Sequence, residues 1–322
     1  MQTTKKKLNM KKYTMNQLRP VILAAIVVGL SLLFAIINPD FISLTNIHAI
    51  LLTMVTVGII TIGQSVCKMA DYFDMSVGMV ASMGGLAVPI VIEAGGSVGM
   101  GMMIGVLIGI VAGLLAGFLV SFMGMNSFIT TFALQSAYRG IIYIFTDGLS
   151  KKMFGEVYAV FTNLGSYKVF GAVQLPIVAM FVLYIAIHLF LKYTKLGRSI
   201  FLAGGNAKCA HISGINVTAV QIFIFVLCDT LAAIAGMLYG SRMANAQAFM
   251  AATIPLESIA ATVVGGVIAG NGNMFQAFLG VLIIFLVKNG LIMIGLPDYY
   301  QYIAVGVIIF VAVALQTERK KN

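Results

Sequence analysis

The sequence predicts an all-α polytopic membrane protein: about ten transmembrane helices in two inverted five-helix halves, with both termini in the cytoplasm. Three observations predict it. Of 322 residues, 60% are hydrophobic and 9% charged, with a mean hydropathy of +1.02; a soluble core needs far less apolar sequence. The apolar residues fall in ten runs that cross, or nearly cross, about 30 Å of hydrocarbon at about 1.5 Å per residue. With the N-terminus inside, fourteen Lys and Arg fall in cytoplasmic ends and loops, against Lys151, Lys152, Lys168 and Arg242 outside, the bias expected of inward-facing loops. The net charge of +10 therefore reports topology, and nucleic acid is not expected as a partner.

The runs lie at about 20–38, 47–69, 75–94, 97–122, 127–146, 171–191, 217–240, 256–271, 275–295 and 299–316. Residues 1–19 form a basic cytoplasmic N-terminus, 20–316 a single transmembrane domain in the lipid bilayer, and 317–322 a cytoplasmic tail. The first run follows a basic segment, as in a signal peptide. No A-x-A-like cleavage site follows it, so it reads as an uncleaved first span.

The third and eighth runs are short or Gly-interrupted and read as half-helices. Ser76–Gly85 opens one and Ser258–Gly266 the other, in corresponding places of the two halves. Paired broken segments in inverted repeats point to a transport pathway. The candidate path residues are Asp74, Ser76, Gly78, Glu257, Ser258, Gly265 and Gly266. Asp74 or Ser76 can also simply cap the next helix.

The fourth run carries Gly101, Gly105, Gly109, Gly113 and Gly117, flanked in register by Ser97 and Ser121. Steps of four turn 400°, so this stripe drifts about 40° per step. It forms an inclined groove suited to a close helix crossing, and is read as packing.

Arg139, Asp229 and Lys288 fall inside runs at similar depth. A lone charge there costs about 2.5–3.5 kcal/mol. Pairing of Asp229 with Lys288 or with Arg139 would reduce that cost; a proton relay is the alternative.

Between the sixth and seventh runs lies Lys192–Asn216, polar, Gly-rich and bearing four basic residues. Such a segment cannot sit in lipid. A compact basic loop on the cytoplasmic side is suited to docking a partner. His48, His188 and His211 have no ligand partners at useful spacing, and Cys67, Cys209 and Cys228 are scattered. The sequence has no phosphate-binding loop and no nucleophile–base arrangement. No catalytic residue, metal or cofactor is expected on this chain.

Several blocks resemble the sugar-type permease subunits of bacterial ABC importers, the ribose-permease-like family. They are Phe73–Gly78; Leu196-Gly197-Arg198 with Ala203–Asn206 and Ser213-Gly214-Ile215-Asn216; Ile259–Gly266; and Asn289-Gly290 through Tyr299-Tyr300-Gln301. The resemblance runs from about Phe41 to Ala314. It implies a multi-pass bacterial cell-membrane protein, not itself an enzyme, importing a monosaccharide or related small solute. It implies a coupling element at Gly197, Arg198, Gly204, Gly205, Asn206, Ser213, Gly214 and Asn216. It further implies a second permease subunit, ATP-binding cassette ATPase subunits that bind ATP–Mg, and an extracellular solute-binding protein. Ala207 and Lys208 stand where the family often has an acidic residue, and Asp229 and Lys288 where small or uncharged ones are usual. The competing readings are the same machinery carrying branched-chain amino acids or nucleosides, and an ion-coupled secondary transporter.

Overall fold

Among the described residues, every apolar run of the sequence carries a helix over at least part of its length. A computed structural model describes residues 2–169, 171–249, 252–297, 299–308 and 310, with side chains from residue 18. The helices are α1 Gln2–Ile37, α2 Leu44–Met69, α3 Val77–Glu93, α4 Val98–Ser121, α5 Ser127–Thr146, α6 Glu156–Ser166, α7 Leu175–Tyr193, α8 Lys195–Gly205, α9 Ala207–Ile212, α10 Val217–Met243, α11 Ile254–Val264 and α12 Met274–Met293. Residues 299–308 are helical as well.

Among the described residues, six helices are long and apolar enough to cross a membrane: Leu18–Ile37 of α1, then α2, α4, α7, α10 and α12. The expected ten is thus met only as ten helical runs. α3 and α11, at 17 and 11 residues, are shorter. α5 has 20 residues but carries Gln135, Ser136 and Arg139 mid-length. The tenth run extends beyond residue 310, outside the described residues. The helix α6 was not expected; it lies in the stretch read as a loop.

The eighth run is interrupted for a physical reason. α11 stops at Val264, and Gly266, Gly270 and Gly272 adopt positive φ of 75°, 69° and 142°. These values favour glycine, so the chain turns back into α12 well before its apolar composition ends.

Polar contacts divide the bundle into two ends. At one, the Arg19 guanidinium donates to the Gly266 carbonyl at 3.1 Å, and the Gly270 amide donates to the Met69 carbonyl at 2.8 Å. At the other, Asn46 and Asn289 exchange amide hydrogen bonds at 3.0 Å, Lys151 pairs with Glu93 at 2.7 Å, and Lys151–Lys152 pair antiparallel with Asn245–Ala246.

α10 is the central helix, packed on α2, α3, α4 and α6. The glycine stripe of α4 explains the closeness. A Cβ at Gly109 would lie 2.8 Å from the Thr230 Cα, and one at Gly117 2.8 Å from the Ile222 Cα. The groove expected from four-residue spacing therefore receives α10, antiparallel. Backbone approach of this kind is how membrane helices gain dispersion contact without a hydrophobic driving force.

Candidate functional site

The loop Lys192–Asn216 is a compact two-helix element. The Thr194 hydroxyl accepts from the Gly197 amide at 2.9 Å and starts α8. The Asn206 side chain accepts from the Cys209 amide at 3.0 Å, which ends α8 and caps α9. Gly214, at φ 81°, terminates α9, and the Asn216 side chain caps α10 through the Ala219 amide at 3.0 Å. Three caps within 23 residues satisfy amides that would otherwise be orphaned at each helix start.

Its inner face is locked to the bundle. Gly197, Ile200, Ala203 and Ala210 are buried. Gly204 abuts the Met69 carbonyl, and a Cβ at Gly270 would lie 2.8 Å from the Gly205 Cα. The outer face is different: Lys195, Arg198, Gly205, Asn206, Lys208, Ser213, Gly214 and Asn216 are exposed, together with Leu202 and Ile212 at 56% and 84%. Leucine, isoleucine and three cations on a seated element make a surface suited to a protein partner. The expected coupling residues thus divide: Gly197 and Gly204 seat the element, and the others face outward.

The break after α2 is a sealed polar knot. Asp74, Ser76, Gln64, Thr131 and Asp229 are all fully buried. The Asp74 carboxylate accepts from the Ser76 amide at 2.8 Å and from its hydroxyl at 2.6 Å. The Thr131 hydroxyl accepts from the Met75 amide at 2.8 Å. Gln64 donates to the Asp74 carbonyl and accepts from the Asp74 amide at 3.3 Å. The Ser76 hydroxyl also reaches the Asp229 carboxylate at 3.4 Å, so the bonded oxygens of Asp74 and Asp229 lie no more than 6.0 Å apart. The capping reading is not met: Ser76 precedes α3 and its side chain makes no capping bond, while Asp74 fixes the turn ahead of the helix through the Ser76 amide and hydroxyl. Three glycines press the wall shut around Asp229: a Cβ at Gly63, Gly84 or Gly109 would lie 2.7 Å from an atom of Cys228, Ala233 or Asp229 itself.

The second membrane-depth centre corrects the expected charge pairing. Lys288 on α12 pairs with Glu257 on α11, its ammonium 3.2 and 3.1 Å from the two carboxylate oxygens. Asp229 makes no ion pair among the described residues, and the Arg139 guanidinium lies 5.0 Å from the Phe249 ring. Equal depth gives height but not azimuth. α10 packs on α2, α3 and α4, whereas α12 packs on α1, α2, α7 and α11; α2 belongs to both groups. Glu257 was legible as the partner, since it opens the run antiparallel to that of Lys288. The pair lines a cavity of about 550 Å³ between α11, α12 and the helix at 299–308, with Thr253, Gln301, Tyr302 and Gly306.

The seven candidate path residues therefore do not form one site. Asp74, Ser76, Gly78 and Ser258 are buried in the bundle, Glu257 borders the cavity, and Gly265 and Gly266 form the turn above Arg19. Another cavity, of about 590 Å³ between α3, α4 and α5, is walled by apolar side chains such as Leu86, Leu107 and Ile142.

Comparison with known proteins was decisive. Residues 46–313 match the family described as branched-chain amino acid transport system, permease component. The chain is 33% identical to a ribose import permease of Bacillus subtilis over 300 residues, 91% of this chain and 90% of that one. It is 32% identical to a ribose import permease of Haemophilus influenzae, covering 89% and 90%. It is also 32% identical to an L-arabinose transport system permease of Escherichia coli, covering 89% and 87%. No solved structure matches it.

Proposed function

The chain belongs to this family of transport-system permease components, as a sugar-type ABC permease of the bacterial plasma membrane, and from that premise we propose that it forms the translocation pathway of an importer for a monosaccharide or related small polar solute. An extracellular binding protein delivers the solute. Two permease subunits, each with ten crossings in two inverted halves and both termini inside, enclose one path. ATP–Mg is bound and hydrolysed by separate cassette subunits that dock on Lys192–Asn216.

The observation that carries this reading is the seating of α8 and α9. The element rests on the end of α2 and on the turn between α11 and α12, next to Arg19. Force applied to its outer face would reach the helices flanking both broken segments without passing through a flexible linker. The ion-coupled alternative needs an intramembrane carboxylate open to solute or water. Asp74 and Asp229 are fully buried and border neither cavity described above, and Glu257, which borders one, is held in an ion pair by Lys288, which weighs against it.

The test is uptake into proteoliposomes holding this chain with the ATPase and binding protein encoded beside it. Radiolabelled D-ribose, L-arabinose, L-leucine and uridine would be compared. Uptake of a sugar that requires both ATP and the binding protein supports the proposal. Uptake of leucine or uridine alone moves the substrate to another class, and uptake driven by an ion gradient without ATP overturns the importer reading.

A further inference from the structure

We propose that the cavity bounded by Glu257, Lys288, Thr253, Tyr302 and Gly306 is a water-filled solute-binding site of the transport path, and that it takes a neutral polyhydroxylated solute. The proposal rests on the importer reading and adds to it the face of the molecule that lines the path and the class of solute held there.

The argument begins with cost. Lys288 lies five residues from the end of α12 and Glu257 in the first turn of α11. Their side chains are 21% and 13% exposed, and the cavity beside them is also lined by Leu256 and Tyr302, 57% and 67% exposed. Intramembrane charges face a bundle interior or a water-filled space, because lipid cannot solvate them. An ion pair open to this face is therefore incompatible with lipid covering it. The carboxylate also gains from its place in the first turn of a helix, where the dipole favours negative charge, so the pair is held in a defined position.

The chemistry of the walls selects the solute. The pair is already mutually satisfied, with the ammonium on both carboxylate oxygens. A singly charged solute would set its charge beside the like member of the pair. A neutral one does not: the ammonium retains a third donor, and the carboxylate retains lone pairs. Donor and acceptor side by side match two neighbouring hydroxyls of a polyol. Leu256 and Val305 supply an apolar wall for the C–H face of a ring, and the volume of about 550 Å³ fits a small-molecule site.

Two measurements on the full complex in membranes test this. In a Cys209→Ser background, the two remaining cysteines, Cys67 and Cys228, are buried. Gly306→Cys and Gly29→Cys both place their Cβ in open space, the first in the cavity and the second mid-length on α1. A charged methanethiosulfonate reagent should modify Gly306→Cys about 100-fold faster than Gly29→Cys, because it is excluded from lipid. Equal, slow rates would overturn the water-filled cavity. Second, Lys288→Met should raise the half-saturating sugar concentration of uptake about tenfold or more, with ATPase co-purification unchanged. An unchanged half-saturation value, with only less folded protein, would make the pair structural and overturn the binding role. If no ATPase is held by the wild type, the importer reading fails instead, and the labelling rates still decide the cavity.

Discussion

The two acidic centres at membrane depth use the same residue types to opposite ends. Around Asp74, Ser76 and Asp229, one oxygen of each carboxylate accepts from hydroxyl or amide donors and the other is buried without a partner, and glycines of three helices close the wall. Around Glu257, a carboxylate is satisfied by an ammonium, and the wall stays open to a cavity. The difference teaches that burial of charge in this fold is not one phenomenon. A sealed knot ties a helix break to the central helix, whereas an open pair keeps polar atoms available to something that enters. Only the second arrangement suits a path.

The comparison breaks first where the sealed wall is thickened. Gly236 packs directly on the Ala81 carbonyl, and Gly236→Val leaves its side chain no room against backbone. It should cost about 3 kcal/mol or more and abolish the monodisperse peak in detergent size-exclusion chromatography. A normal peak would mean that α3 and α10 are not pressed together there.

The next largest effect belongs to the open pair. Lys288→Met leaves Glu257 without its cation, and Glu257→Gln leaves Lys288 without its anion. Because both side chains keep some exposure, each change should cost about 1–2 kcal/mol of stability, less than a fully sealed pair. The double variant should be more stable than the sum of the two losses predicts. Additive losses in thermal unfolding would show that the two charges do not interact.

Smaller effects sharpen the knot itself. Asp74 accepts two bonds from Ser76, which fix the turn leading into α3. Asp74→Ala should cost about 1–2 kcal/mol. Asp229 accepts one long bond, so Asp229→Asn should change unfolding by less than about 1 kcal/mol. The reverse order would move the weight of the knot onto α10.

The smallest expected effect on folding, Gly205→Asp, repeats the opposition at the inner end. Gly204 abuts the Met69 carbonyl, whereas a Cβ at Gly205 meets nothing within 4 Å. Gly204→Asp should lower folded yield severely, and Gly205→Asp should leave it near wild type.

Much of this was legible in the sequence. The positions of the helical runs followed from hydropathy, a close crossing on α4 from a four-residue glycine step though not that α10 fills it, and the loop from its charge. The family followed from a few short blocks. What was not legible depended on azimuth and on turns. Depth alone placed Asp229, Arg139 and Lys288 at one height, but the packing of α2 against both α10 and α12 decides which charges meet. The eighth run reads as apolar through residue 271, yet positive-φ glycines end its helix at Val264. The cavity escaped notice because hydropathy gives no azimuth for the three consecutive runs that line it, and α6 because a short amphipathic helix resembles a loop in a hydropathy profile.

The measurement that bears most directly on the whole account is co-purification of this chain with the ATPase encoded nearest to it, wild type against Gly205→Asp plus Gly214→Asp. Both added side chains meet no atom within 4 Å; Gly214 lies at φ 81°, which aspartate tolerates better than most residues but at some strain, so the comparison is made on the folded fraction isolated by size-exclusion chromatography. The account predicts that the wild type holds the ATPase and the folded double variant loses it. A wild-type chain that holds no ATPase, or a double variant that holds it as well as the wild type, would contradict the assignment of Lys192–Asn216 as the docking element.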